Sequence, residues 1–214
     1  MNNWMSEPFA YPDTPINRGK VLSKEELDKL GSFARYKDTD GDGIGYRTLP
    51  GNPHPNAAYF TRGSGHNEKA LYSERADDYV NNMERLSRKF ETARSHVPKP
   101  EVVQAGKSKI GVIAYGTSHW AMIESRDQLR KEYGVEVDYL RIRAYPFNRD
   151  VHEFIATHDR VYVVDQNRDA QMLTLIKLDI DPHQVIKLRS VRHYNGLPID
   201  ARSVTDEIIS QEGK

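Results

Sequence analysis

The sequence predicts an α/β fold over residues 106–214, a doubly wound and mainly parallel sheet, preceded by an irregular and helical segment over residues 1–105. Three observations carry this. Lys109 to Tyr133 reads as strand, tight turn and helix: Ile110, Val112, Ile113 and Ala114 form a near-continuous apolar run, as a strand buried on both faces does, and Gly116-Thr117-Ser118 then breaks it. The unit then repeats, and strands alternating with helices of about 10 to 15 residues argue for parallel strands joined by right-handed crossovers. Before Pro100, by contrast, turn residues and prolines punctuate the chain and no such unit recurs.

Residues 1–20 hold Pro8, Pro12 and Pro15 with no period of 2 or 3.6, so an extended irregular segment is expected. Trp4, Met5, Phe9, Tyr11 and Ile16 make it apolar enough to lie against another surface. A short helix follows. Ser23 and Glu26 form an S-x-x-E capping box, Leu22 and Leu27 fit a hydrophobic staple, and Gly31 stops the helix after Leu30. The longest helix is expected over Ser73 to Ser95, where Tyr79, Met83, Leu86, Phe90 and Ala93 repeat at spacings of 4 and 3. That stripe reads as a packing face, and Val97-Pro98-Lys99-Pro100 ends the helix and marks the boundary.

In the second half, Met122, Ile123, Leu129 and Tyr133 form the apolar stripe of the first helix, and Gly134 ends it. Val135 to Tyr145 alternates as the next strand, and Asn148 caps a helix carrying Val151, Phe154 and Ile155. Val161 to Val164 is a third strand, followed by a helix with Met172, Leu173, Leu175, Ile176 and Leu178. Val185 to Val191 is expected as a fourth strand and Arg202 to Gln211 as the last helix.

Composition excludes several function classes. Lys plus Arg and Asp plus Glu are both 31, so no net field recruits nucleic acid. The absence of cysteine removes disulfides, thiolate nucleophiles and iron–sulfur ligation by this chain. No window approaches the roughly 18 apolar residues of a membrane span. The first residues have neither a basic n-region nor an apolar core, so no secretory signal is expected and the chain is expected to be cytoplasmic.

Candidate site residues fall in three groups. Asp38, Asp40 and Asp42 of DTDGDG fill positions 1, 3 and 5 of a calcium loop, with Gly43 at its sharp turn. Leu49 stands where the bidentate glutamate belongs and no exiting helix follows, which leaves a plain Asp-Gly turn as the competing reading. His54, Arg62 and His66 flank Tyr59-Phe60 in a glycine- and proline-rich loop that either lines a site for an anionic substrate or is a surface or interface loop. In open α/β sheets, ligands sit at the carboxyl ends of strands, which singles out Gly116, Thr117 and Ser118 and, after the third strand, Asp165 and Asn167. Thr117 or Ser118 serves first as a helix cap, and Asp165 and Asn167 first satisfy backbone groups at a turn. Lys187, Arg189 and Arg192 form a basic face near the fourth strand, and no histidine spacing matches a zinc site.

The succession DGDGIGYRTLPG, HPNAAYFTRGSGHNE, RKFETAR with VPKP, IGVIAYGTSHWAMIES, LRIRAYPF and VYVVDQNRDAQM resembles the C-terminal part of the α subunit of 2-oxoacid:ferredoxin (acceptor) oxidoreductases, the 2-oxoglutarate type in particular. The resemblance covers essentially the whole chain. It implies that residues 106–214 are a transketolase C-terminal-like domain, and that residues 1–105 are the end of a pyrimidine-binding-like domain and the linker helix after it. It implies participation in oxidative decarboxylation of 2-oxoglutarate or a related 2-oxoacid to its acyl-CoA, with this chain contributing assembly and active-site wall and being inactive alone. His54, Arg62 and His66 are then the residues expected near a substrate channel, without an assigned catalytic role. The front of that family's α subunit, with its γ-type domain and the glutamate that activates thiamine, has no counterpart in these residues. No cofactor is therefore expected on this chain alone. Thiamine diphosphate, Mg and an iron–sulfur cluster belong to the assembled complex, whose expected partners are a β subunit and the N-terminal α/γ part, with ferredoxin and CoA engaged through it. The competing readings are a non-catalytic transketolase-C-like interaction module and, from DTDGDG alone, a calcium-dependent binding protein.

Overall fold

Both faces of the central strand are apolar, so it must be covered twice. In the computed structural model, which describes residues 10–59, 63–106 and 108–213, helices cover both faces. Internal contacts divide the chain into two units, Ala10–His96 in one and Val97–Lys214 in the other.

In the second unit the strands are β1 (Glu101–Val103), β2 (Ile110–Tyr115), β3 (Asp138–Ile142), β4 (Arg160–Asp165) and β5 (Leu188–Arg192), in the order β1-β3-β2-β4-β5. β3, β2, β4 and β5 run parallel, with Gly111 opposite Asp138 and Val161 opposite Leu188, while β1 joins β3 antiparallel at the edge. The helices are α3 (Ser118–Tyr133), α4 (Arg149–Thr157), α5 (Gln171–Asp179) and α6 (Ala201–Glu212). Successive side chains of a strand point to opposite faces. Ile110, Val112 and Ala114 of β2, with Tyr139, Tyr162 and Val164, accordingly pack under Met122 and Leu129 of α3 and Val204 and Ile208 of α6. Ile113, Leu140, Val161 and Val163 face the other way, under Val151, Phe154 and Ile155 of α4 and Leu173 and Ile176 of α5. The expected doubly wound, mainly parallel α/β fold is therefore present.

Local signals set most ends. Gly134 adopts the left-handed conformation and its N–H closes α3 onto Arg130 and Leu129. Asn148 caps α4 by accepting from the Asp150 N–H, and Asp200 caps α6 by accepting from that of Ser203. Three elements depart from expectation. β1 is three exposed residues with no apolar period, held by its ladder to β3. Residues 182–187 are a 3-10 helix started by Asp181 and Pro182, so β5 begins only at Leu188. Lys187 is not on a solvated basic face: its ammonium donates to Ile155 O and Ala156 O, the terminal carbonyls of α4, at 3.3 and 2.7 Å.

The first unit holds α1 (Lys24–Leu30) and α2 (Ala76–His96), here numbered in chain order among the described residues. Both halves of the capping box form, at 3.2 Å from Glu26 N to Ser23 Oγ and 2.7 Å from Ser23 N to Glu26 Oε2. Leu22, Leu27 and Ala57 make a small core with Phe33 and Tyr46. The stripe expected to pack is a correction. Tyr79, Met83 and Phe90 are 63%, 43% and 51% exposed, whereas Arg85 is the buried residue of α2. The face that docks is polar, because the DTDGDG turn meets the helix backbone itself. A Cβ on Gly43 would lie 2.3 Å from Lys89 N and 2.6 Å from Arg85 O, and Arg85 and Thr92 donate to the carbonyls of Gly43 and Asp42. Glycine at 43 permits both the left-handed φ of +77° and that approach.

Candidate functional site

A parallel sheet opens a crevice where successive crossovers leave in opposite directions. Here β2 leads to β3 on one side, and the chain then returns past β2 to β4 on the other. The loops after β2 and β4 meet at that point. Gln166 Nε2 donates to Thr117 Oγ1 at 3.1 Å and to Ser118 Oγ at 3.0 Å, tying the two loops together. Gly116 makes the turn in the left-handed region at φ +56°, and a Cβ there would touch nothing, so conformation and not space favours glycine.

The cap expected from Thr117 is absent. Thr117 is the N-cap residue by position, but its φ and ψ of −74° and −11° are already helical and its side chain bonds no helix N–H. Ser118 is the first residue of α3, so its hydroxyl is free to accept from Gln166. Each hydroxyl accepts and retains its own proton to donate. The start of α3 carries no side-chain cap.

The β4 side is built differently. Asp165 is fully buried, and its carboxylate accepts from Tyr115 OH, Asn167 Nδ2, Met172 N and Leu173 N at 3.0 to 3.3 Å. Asn167 Oδ1 accepts from Gln171 N at 3.1 Å. The first three N–H groups of α5 are thereby satisfied internally, leaving that helix start no donor for a ligand. Burial, and then the negative charge of Asp165, push the Tyr115 hydroxyl up to about 12. The structure thus brings Gly116, Thr117, Ser118, Asp165 and Asn167 to one crevice, where Asp165 and Asn167 cap a helix and Gln166, not singled out from sequence, makes the bridge.

His54 and His66 serve different parts of the first unit and share no partner among the described residues. His54 Nδ1 accepts from Asn56 N at 3.0 Å, which places the ring proton on Nε2, 3.3 Å from Asp28 Oδ1 of α1. His66 stacks on Tyr36 at 4.0 Å between centroids, and Asn82 of α2 donates to its carbonyl. Arg62 lies outside the described residues, as do Phe60, Trp4, Met5 and Phe9. Tyr11 and Ile16 are exposed.

The aspartates of DTDGDG meet cations from the chain itself. Lys20 Nζ lies 2.6 Å from Asp40 Oδ2, 2.7 Å from Asp42 Oδ2 and 3.2 Å from Ile44 O, and Arg88 Nε donates to Asp38 Oδ2 at 2.9 Å. The lysine hydrogen bond holds the Asp42 carboxyl below its ordinary value. Among the described residues no group of three or more His, Asp or Glu side chains has metal-holding geometry.

A second buried pair was invisible in the sequence. His158 Nε2 lies 3.2 Å from Asp138 Oδ2, its Nδ1 lies 2.6 Å from Phe154 O, and Asp138 Oδ1 accepts from Ala105 N. The partners stand 20 and 33 residues apart on a strand, a helix end and a linker, so no spacing could announce them.

No protein-family model matches the sequence. Among solved structures, the chain is similar to the 2-oxoglutarate:ferredoxin oxidoreductase from Magnetococcus marinus with 2-oxoglutarate, coenzyme A and succinyl-CoA bound. The TM-score is 0.72 at 22% identity, covering 86% of this chain and 31% of that one. The chain thus spans about a third of that structure's length, and the likeness is one of fold. Two further matches are an inactive β4 tetramer of a split-gene transketolase (TM-score 0.42, 14% identity, 52% of this chain and 40% of that one) and the α chain of a probable 2-oxoacid ferredoxin oxidoreductase from Thermoplasma acidophilum (TM-score 0.36, 22% identity, 54% and 98%). No helix of the described residues is long and apolar enough to cross a membrane.

Proposed function

We propose that this chain is a segment of a thiamine-diphosphate-dependent 2-oxoacid:ferredoxin oxidoreductase, contributing assembly and active-site wall to oxidative decarboxylation of 2-oxoglutarate or a related 2-oxoacid. The observation that carries this is the extent of the fold match. Residues 97–214 are little more than half of the chain, so a match over 86% of it must run well into the turn-rich first unit. Doubly wound sheets serve many unrelated functions. A match that also takes in a turn-rich segment is more restrictive, and the motif succession from DGDGIGYRTLPG to VYVVDQNRDAQM points the same way.

In this reading residues 1–105 are the end of a pyrimidine-binding-like domain with its linker helix and residues 106–214 the transketolase C-terminal-like domain. Thiamine diphosphate, Mg and an iron–sulfur cluster belong to the rest of the complex, reached through a β subunit and the α/γ part, with ferredoxin and CoA as its exchange partners. The residues of this chain do not fit an iron–sulfur cluster, since it has no cysteine to ligate one. The side chains at the strand ends are engaged with one another, which suits a wall more than a catalytic set.

That engagement equally favours a second reading, a non-catalytic interaction module. The test is a pull-down of the tagged chain from its own cell extract, with the eluate assayed for 2-oxoglutarate-dependent reduction of a viologen dye. Dye reduction with a β-type partner in the eluate is the expected result. An eluate holding partners without dye reduction establishes the module instead.

A further inference from the structure

Arg85 is the one residue of α2 that is buried, at 9% exposure, and it is an arginine. A buried guanidinium is normally held by a carboxylate, because removing an unpaired charge from water is costly. Among the described residues none lies within 4.0 Å. The Asp38 carboxylate is taken by Arg88 and the Gly43 N–H, at 2.9 Å each, and Asp78 accepts from Ser73 Oγ at 2.6 Å. Arg85 Nη1 has a backbone carbonyl, Gly43 O, at 3.2 Å. Among the described residues its Nε, buried, has no acceptor, and no hydrogen bond engages Nη2. The Tyr36 ring lies 5.5 Å from the guanidinium carbon and adds a weak attraction that satisfies no N–H. Arg35 and Arg88 repel the guanidinium and Asp38 attracts it.

This guanidinium lines a cavity of 570 Å³ between the Tyr36–Asp38 segment, the Asn67–Leu71 loop and α2, all in the first unit. The volume falls within the range of small-molecule sites. Asn67 Oδ1 accepts from Lys69 N and Leu71 N, which orients the amide and leaves Nδ2 as a donor to spare, and the exposed side-chain amide of Asn81 lines the cavity with no hydrogen bond among the described residues. Four cations, Lys37, Lys69, Arg85 and Arg88, stand against four carboxylates, Asp38, Glu68, Asp78 and Glu84, around the lining, and Arg85 is the buried one of the eight. Its Nε has no accessible surface, so the guanidinium meets the cavity through Nη2, a charged donor suited to an oxygen of a carboxylate or phosphate.

We propose that this cavity is a binding site for a small oxyanion, a carboxylate or a phosphate, held by the Arg85 guanidinium with the Asn67 and Asn81 amides as further donors. Arg85 would then be a ligand-binding residue placed by the docking of DTDGDG on α2, and not a structural ion-pair partner.

The test is the melting temperature of the full chain titrated separately with sodium succinate and sodium phosphate, each against sodium chloride at equal ionic strength. A saturable rise of several degrees with at least one of the two oxyanions, absent with chloride, is expected. Succinate alone identifies carboxylate, phosphate alone a tetrahedral anion. In Arg85→Met the oxyanion response should vanish, read against that variant's own anion-free melting temperature, in which removal of a buried charge opposes loss of the donor to Gly43 O. Should Arg85→Met not fold, the Arg85 Nε–H resonance of the ¹⁵N-labelled protein, assigned by its loss in Arg85→Lys, should shift on saturation with the same anion. No response to either oxyanion beyond chloride, a response that survives in Arg85→Met, or an unmoved resonance overturns the proposal.

Discussion

Replacing Gly111 with alanine tests how tightly α4 is seated on the central strand. Gly111 pairs with Asp138 on one side and Val161 on the other. An added Cβ falls 2.6 Å from Cε1 and 2.9 Å from Cζ of Phe154, and 3.2 Å from Cγ of His158. Its backbone is not in the left-handed region, so only space is at issue. His158 has little freedom to yield, because both ring nitrogens are engaged and Asp138 is itself held by Ala105 N. The Phe154 ring, 6% exposed, must therefore move against Leu140 and Ile155. Overpacking of this kind costs about 1 to 3 kcal/mol, and with a neighbour pinned on one side we expect about 2 kcal/mol. Phe154→Leu alone should cost roughly 1 kcal/mol, and in the double variant the smaller side chain makes room for the methyl. The double variant should then be less destabilised than the sum of the single ones by at least about 1 kcal/mol. Urea unfolding followed by far-ultraviolet circular dichroism measures all three. A Gly111→Ala variant within about 0.5 kcal/mol of the unchanged protein, or strict additivity in the double variant, would refute the packing argument.

Three further substitutions test other contacts. Asp165→Ala leaves two helix N–H groups, the Asn167 amide and the Tyr115 hydroxyl without their acceptor in a fully buried place, so stability should fall by about 3 kcal/mol or more. Tyr115, raised to about 12 against an unfolded value near 10, stabilises the fold below pH of about 10 and loses that contribution as pH rises toward 12; loss of Asp165 should lower its titration in the ultraviolet absorbance of tyrosine, and an unchanged titration would show that burial alone sets it. Lys20→Met removes the ammonium from Asp40 and Asp42 and should cost about 1 kcal/mol, less at high salt. Because Asp42 is held below its ordinary value, its contribution is present above pH of about 4 and disappears on acidification through the lowered folded value, so the difference between Lys20→Met and the unchanged protein should shrink at low pH in thermal melts; a constant difference would count against the ion pairs. Gln166→Ala should cost about 1 kcal/mol and speed amide exchange in residues 116–118, and exchange equal to that of the unchanged protein would mean that Gln166 does not tie the loops.

The capping box at Ser23, the glycine stops at Gly31 and Gly134, and the Asn148 cap were legible because each is a contact within a few residues, readable from spacing alone. β1 was not, because its three exposed residues become a strand only through pairing with β3. The start of β5 was misplaced for a related reason: Val185 and Ile186 look like strand residues, but Asp181 and Pro182 start a 3-10 turn that takes them first. At the site, the two loops lie at the strand ends and Asp165 and Asn167 satisfy backbone groups as expected, while the cap expected from Thr117 or Ser118 is absent. Thr117 was the natural cap, yet the helical backbone at that residue turns the cap away and Gln166, 49 residues on, engages its hydroxyl instead.

By itself the sequence determined the alternation of strands and helices in the second half and the two-faced burial of its sheet, since period and apolar content are carried by the residues in order. Only the tertiary structure decided which side of α2 is docked. The apolar stripe of Tyr79, Met83 and Phe90 promised a packing face, while the partner that arrived was the DTDGDG turn, 40 to 50 residues upstream, whose glycine fits against the helix backbone and whose carbonyls need donors. Apolar periodicity states what a helix would gain by burial. Which face is buried depends on the shape and hydrogen bonding of the partner, and neither is written in the helix's own residues.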